Sequence, residues 1–187
     1  MKLLINKPSI TNLEKKYVND VLKKGWLSIE GEHTKIFEKK LSKLLKVKRG
    51  FAVQSGTAAL HTALKGLGVK ENDRVVLPNY TCISNLTAVT QCGAIPIIVE
   101  VEKETLSLDY NLLKKAIKIY KPKVVQLVHV YGFVAKDTIK IKNLCKKNKI
   151  KLLEDNSESF GALLNNKNTG SFGDISINSL RSEKMIG

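Results

Sequence analysis

Short apolar runs alternate along this chain with longer segments in which apolar residues recur every three or four positions. The short runs are typical of strands buried on both faces, and the longer segments are typical of helices that cover a sheet. The predicted strands are residues 51–54, 73–78, 94–99, 124–130, 151–153 and 175–179. This alternation predicts an α/β fold with a mostly parallel central sheet.

Two helices are predicted before the first strand. Thr11 and Glu14 have the spacing of a capping box, and Gly25 is placed to end the first helix. A second amphipathic helix is predicted over residues 33–45. Trp26, in the loop between them, either packs against its neighbours or contacts a ligand, and we favour packing.

Polar side chains follow several of the predicted strands, at the edge where parallel sheets bind ligands. Ser55, Gly56 and Thr57 lie between the first strand and a helix, and the free N–H groups of a helix N-terminus attract anions. The same three residues could serve only as a helix cap. His129 lies near the end of the predicted strand at 124–130, and we interpret it as a structural histidine.

The last third of the chain carries three groups that together could hold pyridoxal 5'-phosphate. Asp155, the second member of an acid pair with Glu154, ends a predicted strand; Ser179 closes a later strand, and Lys184 follows it. The carboxylate would keep the pyridine nitrogen protonated, the hydroxyl would bind phosphate, and the amine would form the Schiff base. Each group alone is weak evidence, because lysine is abundant in this sequence.

The motifs around these groups occur in an order that resembles a known family. They are GWLS at 25–28, SGTAAL at 55–60, VHVYG at 128–132, EDNSESFGA at 154–162, GSFGD at 170–174 and SLRSEK at 179–184. Together they resemble the DegT/DnrJ/EryC1/StrS sugar aminotransferases, which are fold-type I pyridoxal-phosphate enzymes. The resemblance runs from about Pro8 to the last residue.

This resemblance implies a cofactor site with assigned roles. Lys184 would be the catalytic residue that binds the cofactor covalently and moves protons, whereas members with histidine at this position carry out dehydration. Asp155 would contact the pyridine nitrogen, and Glu158 would face either the cofactor's phenolic oxygen or the sugar. The phosphate-binding residues implied are Gly56, Thr57 and Ser179.

One position departs from the family pattern. Cys82 aligns where the family commonly has an aromatic residue stacked on the cofactor ring. Either its thiol packs on the ring, or neighbouring Tyr80 supplies the aromatic face. The glutamate at position 158 is similar to that of perosamine-synthase-like members, although one residue does not choose the sugar.

The resemblance also implies an activity and an architecture. The activity is transamination of a nucleotide-linked keto-sugar, typically a 4-keto-6-deoxy hexose, with glutamate as amino donor, for cell-surface or secondary-metabolite sugars. The architecture is a three-layer, aspartate-aminotransferase-like large domain in a homodimer. Family members are about twice as long, so we expect residues 1–187 to be a truncated N-terminal part of that domain, without the C-terminal small domain. The alternative is a non-catalytic remnant that binds the cofactor weakly.

Composition changes this picture little. The formal net charge of +15 suits a nucleic-acid-binding domain, but the lysines are dispersed and only 6% of residues are aromatic. We therefore expect no nucleic-acid partner. Three scattered cysteines indicate neither a disulfide framework nor a metal site, and residues 1–8 lack the apolar core of a secretory signal. These features predict a cytoplasmic protein without a membrane span.

Overall fold

The computed structural model describes residues 9–186. Gly187 and residues 1–8 lie outside the described residues, and so does the prediction about a secretory signal, which concerned residues 1–8. The helices are α1 (Asn12–Lys24), α2 (Glu32–Leu45), α3 (Gly56–Gly66), α4 (Ile83–Gln91), α5 (Tyr110–Tyr120) and α6 (Thr138–Lys147). The strands are β1 (Arg74–Pro78), β2 (Ile95–Val99), β3 (Val124–Val128), β4 (Lys151–Asp155), β5 (Leu163–Leu164), β6 (Lys167–Asn168) and β7 (Ile175–Ile177).

Five of the strands form one parallel sheet in the order β2-β1-β3-β4-β7. This arrangement confirms the predicted α/β fold with a mostly parallel sheet. The carboxyl ends of β1, β3, β4 and β7 are therefore adjacent, and the residues that follow these strands meet at one edge.

Helices cover both faces of the sheet, because successive residues of a strand point to opposite sides. Val75, Leu153 and Ile177 pack against α3 and α4 in one buried cluster. Val76 and Leu152 pack against α5 and α6 in the other. The fold is thus the predicted three-layer arrangement, and it assigns Asp155 to the α3–α4 side and Glu154 to the α5–α6 side.

The predicted strand at 51–54 is wrong, since these residues form no strand in the structure. Phe51 is 76% exposed and Val53 is 41% exposed, so their apolar side chains are not covered by the described residues. An apolar run becomes a strand only when a neighbour pairs with its backbone, and this segment has no such neighbour among residues 9–186.

A short hairpin formed by β5 and β6 was not predicted. It turns at Asn165 and Asn166, which both have positive φ angles (51° and 59°). Asparagine tolerates this left-handed conformation, so the Asn-Asn pair is a signal that could have located the turn.

The two N-terminal helices have the predicted ends. Thr11 and Glu14 form the capping box, and Gly25 ends α1 with a φ of 70°. However, no residue of α1 is buried. Trp26 is 57% exposed and lines an open cavity of about 630 Å³ together with His33, so the described residues cover less than half of it, and the choice between packing and ligand contact stays a prediction.

None of the helices within residues 9–186 combines the length and the apolar character needed to cross a membrane.

Candidate functional site

The predicted site residues come together at the carboxyl edge of the sheet, where loops from four strands meet. Asp155 ends β4, and the backbone N–H of Asn156 donates to the carbonyl of Ile177 at 2.9 Å, at the end of β7. Ser179 lies two residues beyond Ile177. The sheet register therefore places the carboxylate of Asp155 and the hydroxyl of Ser179 on neighbouring strand ends.

Asp155 is only 4% exposed and is held by two hydrogen bonds. The side-chain amide of Asn85, on α4, donates to Oδ2 at 2.9 Å, and the backbone N–H of Ser157 donates to Oδ1 at 3.0 Å. A carboxylate only accepts, so Asn85 must present its NH2 group to Asp155. Two donors on opposite oxygens fix the plane of the Asp155 carboxylate.

Lys184 forms an ion pair with Glu158, with 2.7 Å between Nζ and Oε1. The two side chains are 20% and 27% exposed, so the pair is partly shielded from solvent. The other oxygen of Glu158 accepts from the backbone N–H of Tyr131 at 3.1 Å. Glu158 therefore joins the segment after β4, the loop after β3 and the lysine.

A tyrosine pair lies on this side of the site. The rings of Tyr80 and Tyr131 meet edge to face at 6.3 Å, and their hydroxyls lie 3.2 Å apart. The hydrogen bond with Tyr131 raises the pKa of Tyr80 above its ordinary value. Tyr131 has a φ of 51°, a left-handed conformation that turns the chain sharply after β3.

The first turn of α3 packs directly against Ser179. A Cβ atom placed on Gly56 would lie 3.3 Å from Cβ and 3.4 Å from Oγ of Ser179, so glycine permits this close approach. The hydroxyl of Thr57 donates to Oγ of Ser84 at 3.0 Å. The hydroxyls of Thr57, Ser84 and Ser179 and the N-terminus of the eleven-residue helix α3 thus border one small region. Such a region suits an anion.

Cys82 lies at the start of α4, exposed, with its Sγ 3.4 Å from Oγ of Ser84. It therefore borders the region next to Thr57, whereas Tyr80 borders the region next to Tyr131. The structure brings both residues to the site, and which of them faces a cofactor ring stays a prediction.

Sequence reasoning gave no role to Asn85, Ser84 or the backbone of Tyr131. These contacts link residues far apart in the chain, with 70 positions between Asn85 and Asp155. No local pattern indicates them. The sequence indicated only that Ser84 and Asn85 come just after the polar residues that follow β1, and therefore lie near the carboxyl edge of the sheet.

His129 is fully buried, as expected of a structural histidine. Its Nδ1 accepts from the backbone N–H of Ala135 at 3.0 Å, so Nε2 carries the proton and donates to Glu154 at 3.0 Å. Burial raises the pKa of Glu154, but hydrogen bonds from His129 and from the backbone of Gly170 and Gly173 outweigh it. The pKa of Glu154 therefore lies below its ordinary value.

This depressed pKa predicts acid sensitivity. A carboxylate with a lowered folded-state pKa stabilises the fold above its unfolded pKa of about 4.3, and this contribution is lost as pH falls through the folded value. Glu154→Gln should cost roughly 3 kcal/mol at neutral pH, because buried N–H donors lose a charged acceptor. Thermal unfolding should show this difference shrinking as pH falls below about 4.3 and through the lowered folded-state pKa of Glu154. A constant difference over that range would contradict the ionised state of Glu154.

The cysteines should differ in reactivity. Burial raises the pKa of Cys145 to about 12 and also raises that of Cys92, whereas Cys82 is exposed. Since the thiolate is the reactive form, a thiol reagent should label only Cys82 in the folded chain and the other two after unfolding. Mass spectrometry of the labelled peptides measures this, and native labelling of Cys145 would show that the α6 layer opens in solution.

Comparison with known proteins identifies the family. The model of the DegT/DnrJ/EryC1/StrS aminotransferase family matches residues 8–187. The chain belongs to this family. The predicted resemblance is therefore confirmed over the range on which it was based.

Among curated members of the DegT/DnrJ/EryC1/StrS family, two GDP-perosamine synthases are similar to this chain. The one from Vibrio cholerae is 37% identical over 182 residues, which cover 97% of this chain and 49% of that protein. The one from Escherichia coli O157:H7 is 36% identical, with 97% and 50% covered. The chain thus spans about half the length of these relatives.

Solved structures share the fold of the chain. A GDP-4-keto-6-deoxymannose-3-dehydratase with bound GDP-perosamine superposes with a TM-score of 0.92 at 26% identity, over 100% of this chain and 49% of that one. The E. coli GDP-4-keto-6-deoxy-D-mannose-3-dehydratase with bound hydrated PLP gives a TM-score of 0.85 at 27% identity, over 92% and 45%.

Proposed function

We propose that this chain forms the cofactor-binding part of a pyridoxal-phosphate-dependent sugar aminotransferase. The observation that carries the proposal is the ion pair of Lys184 with Glu158. Glu158 lies three residues beyond Asp155, and the ion pair is at the same sheet edge as Ser179. An amine, a carboxylate and an anion-binding helix N-terminus are the three groups that this cofactor requires. The family supports an aminotransferase function, and the structural neighbour with bound PLP supports the cofactor.

The residues present fit the phosphate group. Gly56 lets the first turn of α3 lie against Ser179, and the hydroxyls of Thr57 and Ser84 stand beside that turn. Backbone N–H groups and the positive end of the helix dipole favour a doubly charged phosphate there. We assign Gly56, Thr57 and Ser179 to phosphate binding.

Asp155 would hold the ring nitrogen. Its carboxylate is buried and its plane is fixed by Asn85 and Ser157, so the position of its charge is set before the cofactor arrives. A fixed anion in a site shielded from water stabilises a protonated nitrogen strongly. The bound cofactor supplies an electron sink, which makes the Cα–H bond of an amino acid labile.

Lys184 would be both the covalent attachment point and the proton carrier. Its amine could attach the cofactor only when neutral, so the ammonium paired with Glu158 would first pass a proton to solvent, and water would leave as the bond to the cofactor forms. Once displaced by an amino donor, the same amine can move the proton between carbon atoms of donor and cofactor. Glu158 is placed to hold Lys184 near those atoms, because its second oxygen is fixed by Tyr131.

The substrate we propose is a nucleotide-linked keto-sugar, typically a 4-keto-6-deoxy hexose, with glutamate as donor. The relatives are named as GDP-perosamine synthases, and one structural neighbour holds GDP-perosamine. Lysine rather than histidine at position 184 favours transamination over the dehydration for which that neighbour is named. We further propose that residues 1–187 are the N-terminal part of the cofactor-binding large domain, which works as a homodimer.

Phosphate recognition provides the test of the cofactor assignment. Thr57→Ala combined with Ser179→Ala should weaken pyridoxal 5'-phosphate binding by roughly 10²–10⁴-fold, since each lost hydrogen bond to a charged group is worth about 1.5–3 kcal/mol. Equilibrium titration followed by absorbance measures the dissociation constant. Binding of pyridoxal, which lacks phosphate, should be unchanged by the double substitution. An unchanged constant for the phosphate ester would place the anion site elsewhere.

A further inference from the structure

Glu154 is a buried charge with no part in the chemistry proposed above. It precedes Asp155 in β4, is 0% exposed, and points to the α5–α6 side of the sheet while Asp155 points to the other side. A carboxylate removed from water is costly unless it is fully hydrogen-bonded. The hydrogen-bond donors to Glu154 therefore indicate which parts of the structure its charge stabilises.

The partners of Glu154 come mainly from one tight loop. The backbone N–H groups of Gly170, Phe172 and Gly173 donate to the carboxylate at 2.6, 2.7 and 2.9 Å. Nε2 of His129, at the end of β3, adds a fourth bond at 3.0 Å. We call these four contacts the Glu154 anchor. Three of them connect β4 with the loop that leads into β7, and the fourth connects β4 with the end of β3.

The strand that follows this loop is short. Its pairing with β4 is extended by two hydrogen bonds, from the N–H of Asp174 to the carbonyl of Leu152 at 2.8 Å and from the N–H of Asn156 to the carbonyl of Ile177 at 2.9 Å. β7 has three residues, and among the described strands it pairs only with β4. A Cβ atom on Gly173 would lie 2.7 Å from the carbonyl of Ile175 and 2.9 Å from Cβ of Glu154, so the loop is packed tightly onto Glu154. Ser176, in β7, links the strand back to the loop, because its hydroxyl donates to the carbonyl of Gly170 at 2.7 Å. The loop at 170–173 and β7 therefore form one structural unit.

The position of this unit sets the position of the site residues beyond it. Ser179 follows β7 by two residues, and Lys184 lies in the next turn, where its N–H donates to the carbonyl of Arg181 at 2.8 Å. A shift of β7 along β4 would move Ser179 away from Gly56, which it contacts closely.

We propose that Glu154 is a positioning residue that acts across the sheet. Through the Glu154 anchor it holds the loop and β7, and thereby sets Ser179 and Lys184 against Asp155, the residue next to it in sequence. The two members of the acid pair thus have different roles on opposite faces of β4: Glu154 positions the loop and β7, and Asp155 belongs to the proposed cofactor site. This inference rests on the proposed function only in naming the ligand that the positioned residues bind.

The experiment compares a charge-removing variant with variants of matched stability. Glu154→Gln keeps the size of the side chain but offers one acceptor oxygen in place of two. Ser176→Ala removes one bond within the same unit and is mild enough to fold. Leu113→Ala and Ile117→Val, buried on α5 away from the loop, serve as controls that lower stability without touching the anchor.

Two measurements are made on each variant, the dissociation constant for pyridoxal 5'-phosphate and hydrogen exchange of the cofactor-free chain over residues 168–184. We expect Glu154→Gln to raise the dissociation constant roughly tenfold or more, and Ser176→Ala about threefold. Exchange should accelerate in this segment more than in α3 or β1. The controls should leave the constant within about twofold and should not single out this segment.

The outcomes separate the two proposals. If the unsubstituted chain binds no cofactor, the proposed function fails, and hydrogen exchange alone decides the role of Glu154. Faster exchange confined to residues 168–184 supports positioning. A dissociation constant in Glu154→Gln equal to that of its stability-matched control, or acceleration spread evenly over the sheet, overturns it.

Discussion

Replacement of Lys184 by Ala is expected to abolish covalent capture of the cofactor while leaving the fold intact. The amine is the only group through which this side chain could form that bond, and the side chain is only partly buried, so its loss creates no cavity in the core. The measurement is borohydride reduction in the presence of pyridoxal 5'-phosphate, followed by mass spectrometry of the peptides. Modification should fall on Lys184 and disappear in the variant.

The matched control for this experiment is Lys123→Ala. Lys123 also pairs with a carboxylate, Asp73, at a distance of 2.7 Å, and it is 36% exposed. It lies between α5 and β3, at the amino edge of the sheet, so its loss should leave capture unchanged. Equal modification of several lysines in the unsubstituted chain, or full capture in Lys184→Ala, would remove Lys184 from its proposed role.

The parts of the fold that the sequence predicted are those set by local patterns. The capping box at Thr11, the stop at Gly25 and the apolar runs of β1 to β4 each depend on residues within a few positions of one another. The predicted strand at 51–54 failed because its apolar run needed a backbone partner that the described chain does not provide. Strand status is settled by pairing, which a local pattern does not contain.

The sequence indicated which residues would lie near one another at the sheet edge, but not the contacts that orient them. Ser179, Asp155 and Lys184 were found from motifs, and the structure places them at one sheet edge. The contacts that orient them come from residues distant in sequence, such as Asn85 for Asp155. Glu154 was seen as half of an acid pair, yet its partners in the loop at 170–173 follow only from the packing of β7 on β4.

Asp155→Asn is expected to lower turnover by about 10²–10³-fold while cofactor is still bound. The substitution removes the negative charge that we propose lies opposite the ring nitrogen, and it changes the side-chain volume very little. The residues proposed to bind phosphate, Gly56, Thr57 and Ser179, are unchanged, so affinity should fall much less than rate. The half-reaction with glutamate, read as 2-oxoglutarate formed per chain, measures the rate, and an equilibrium titration measures affinity.

The structure indicates that this substitution leaves the local fold intact. The new amide at position 155 would turn its NH2 group toward Asn85, which now donates to that oxygen. Oδ1 of Asn85 is buried and has no hydrogen-bond partner among residues 9–186, so rotation of this amide by half a turn presents an acceptor to the new donor. Ser157 can still donate to the remaining oxygen at position 155.

The outcomes for this variant are therefore clear. A variant whose melting temperature is close to that of the unsubstituted chain, and which binds cofactor and reacts with glutamate at close to the original rate, would show that another group holds the ring nitrogen. A slow but folded variant, whose rate is not restored by excess cofactor, would assign that task to the charge of Asp155.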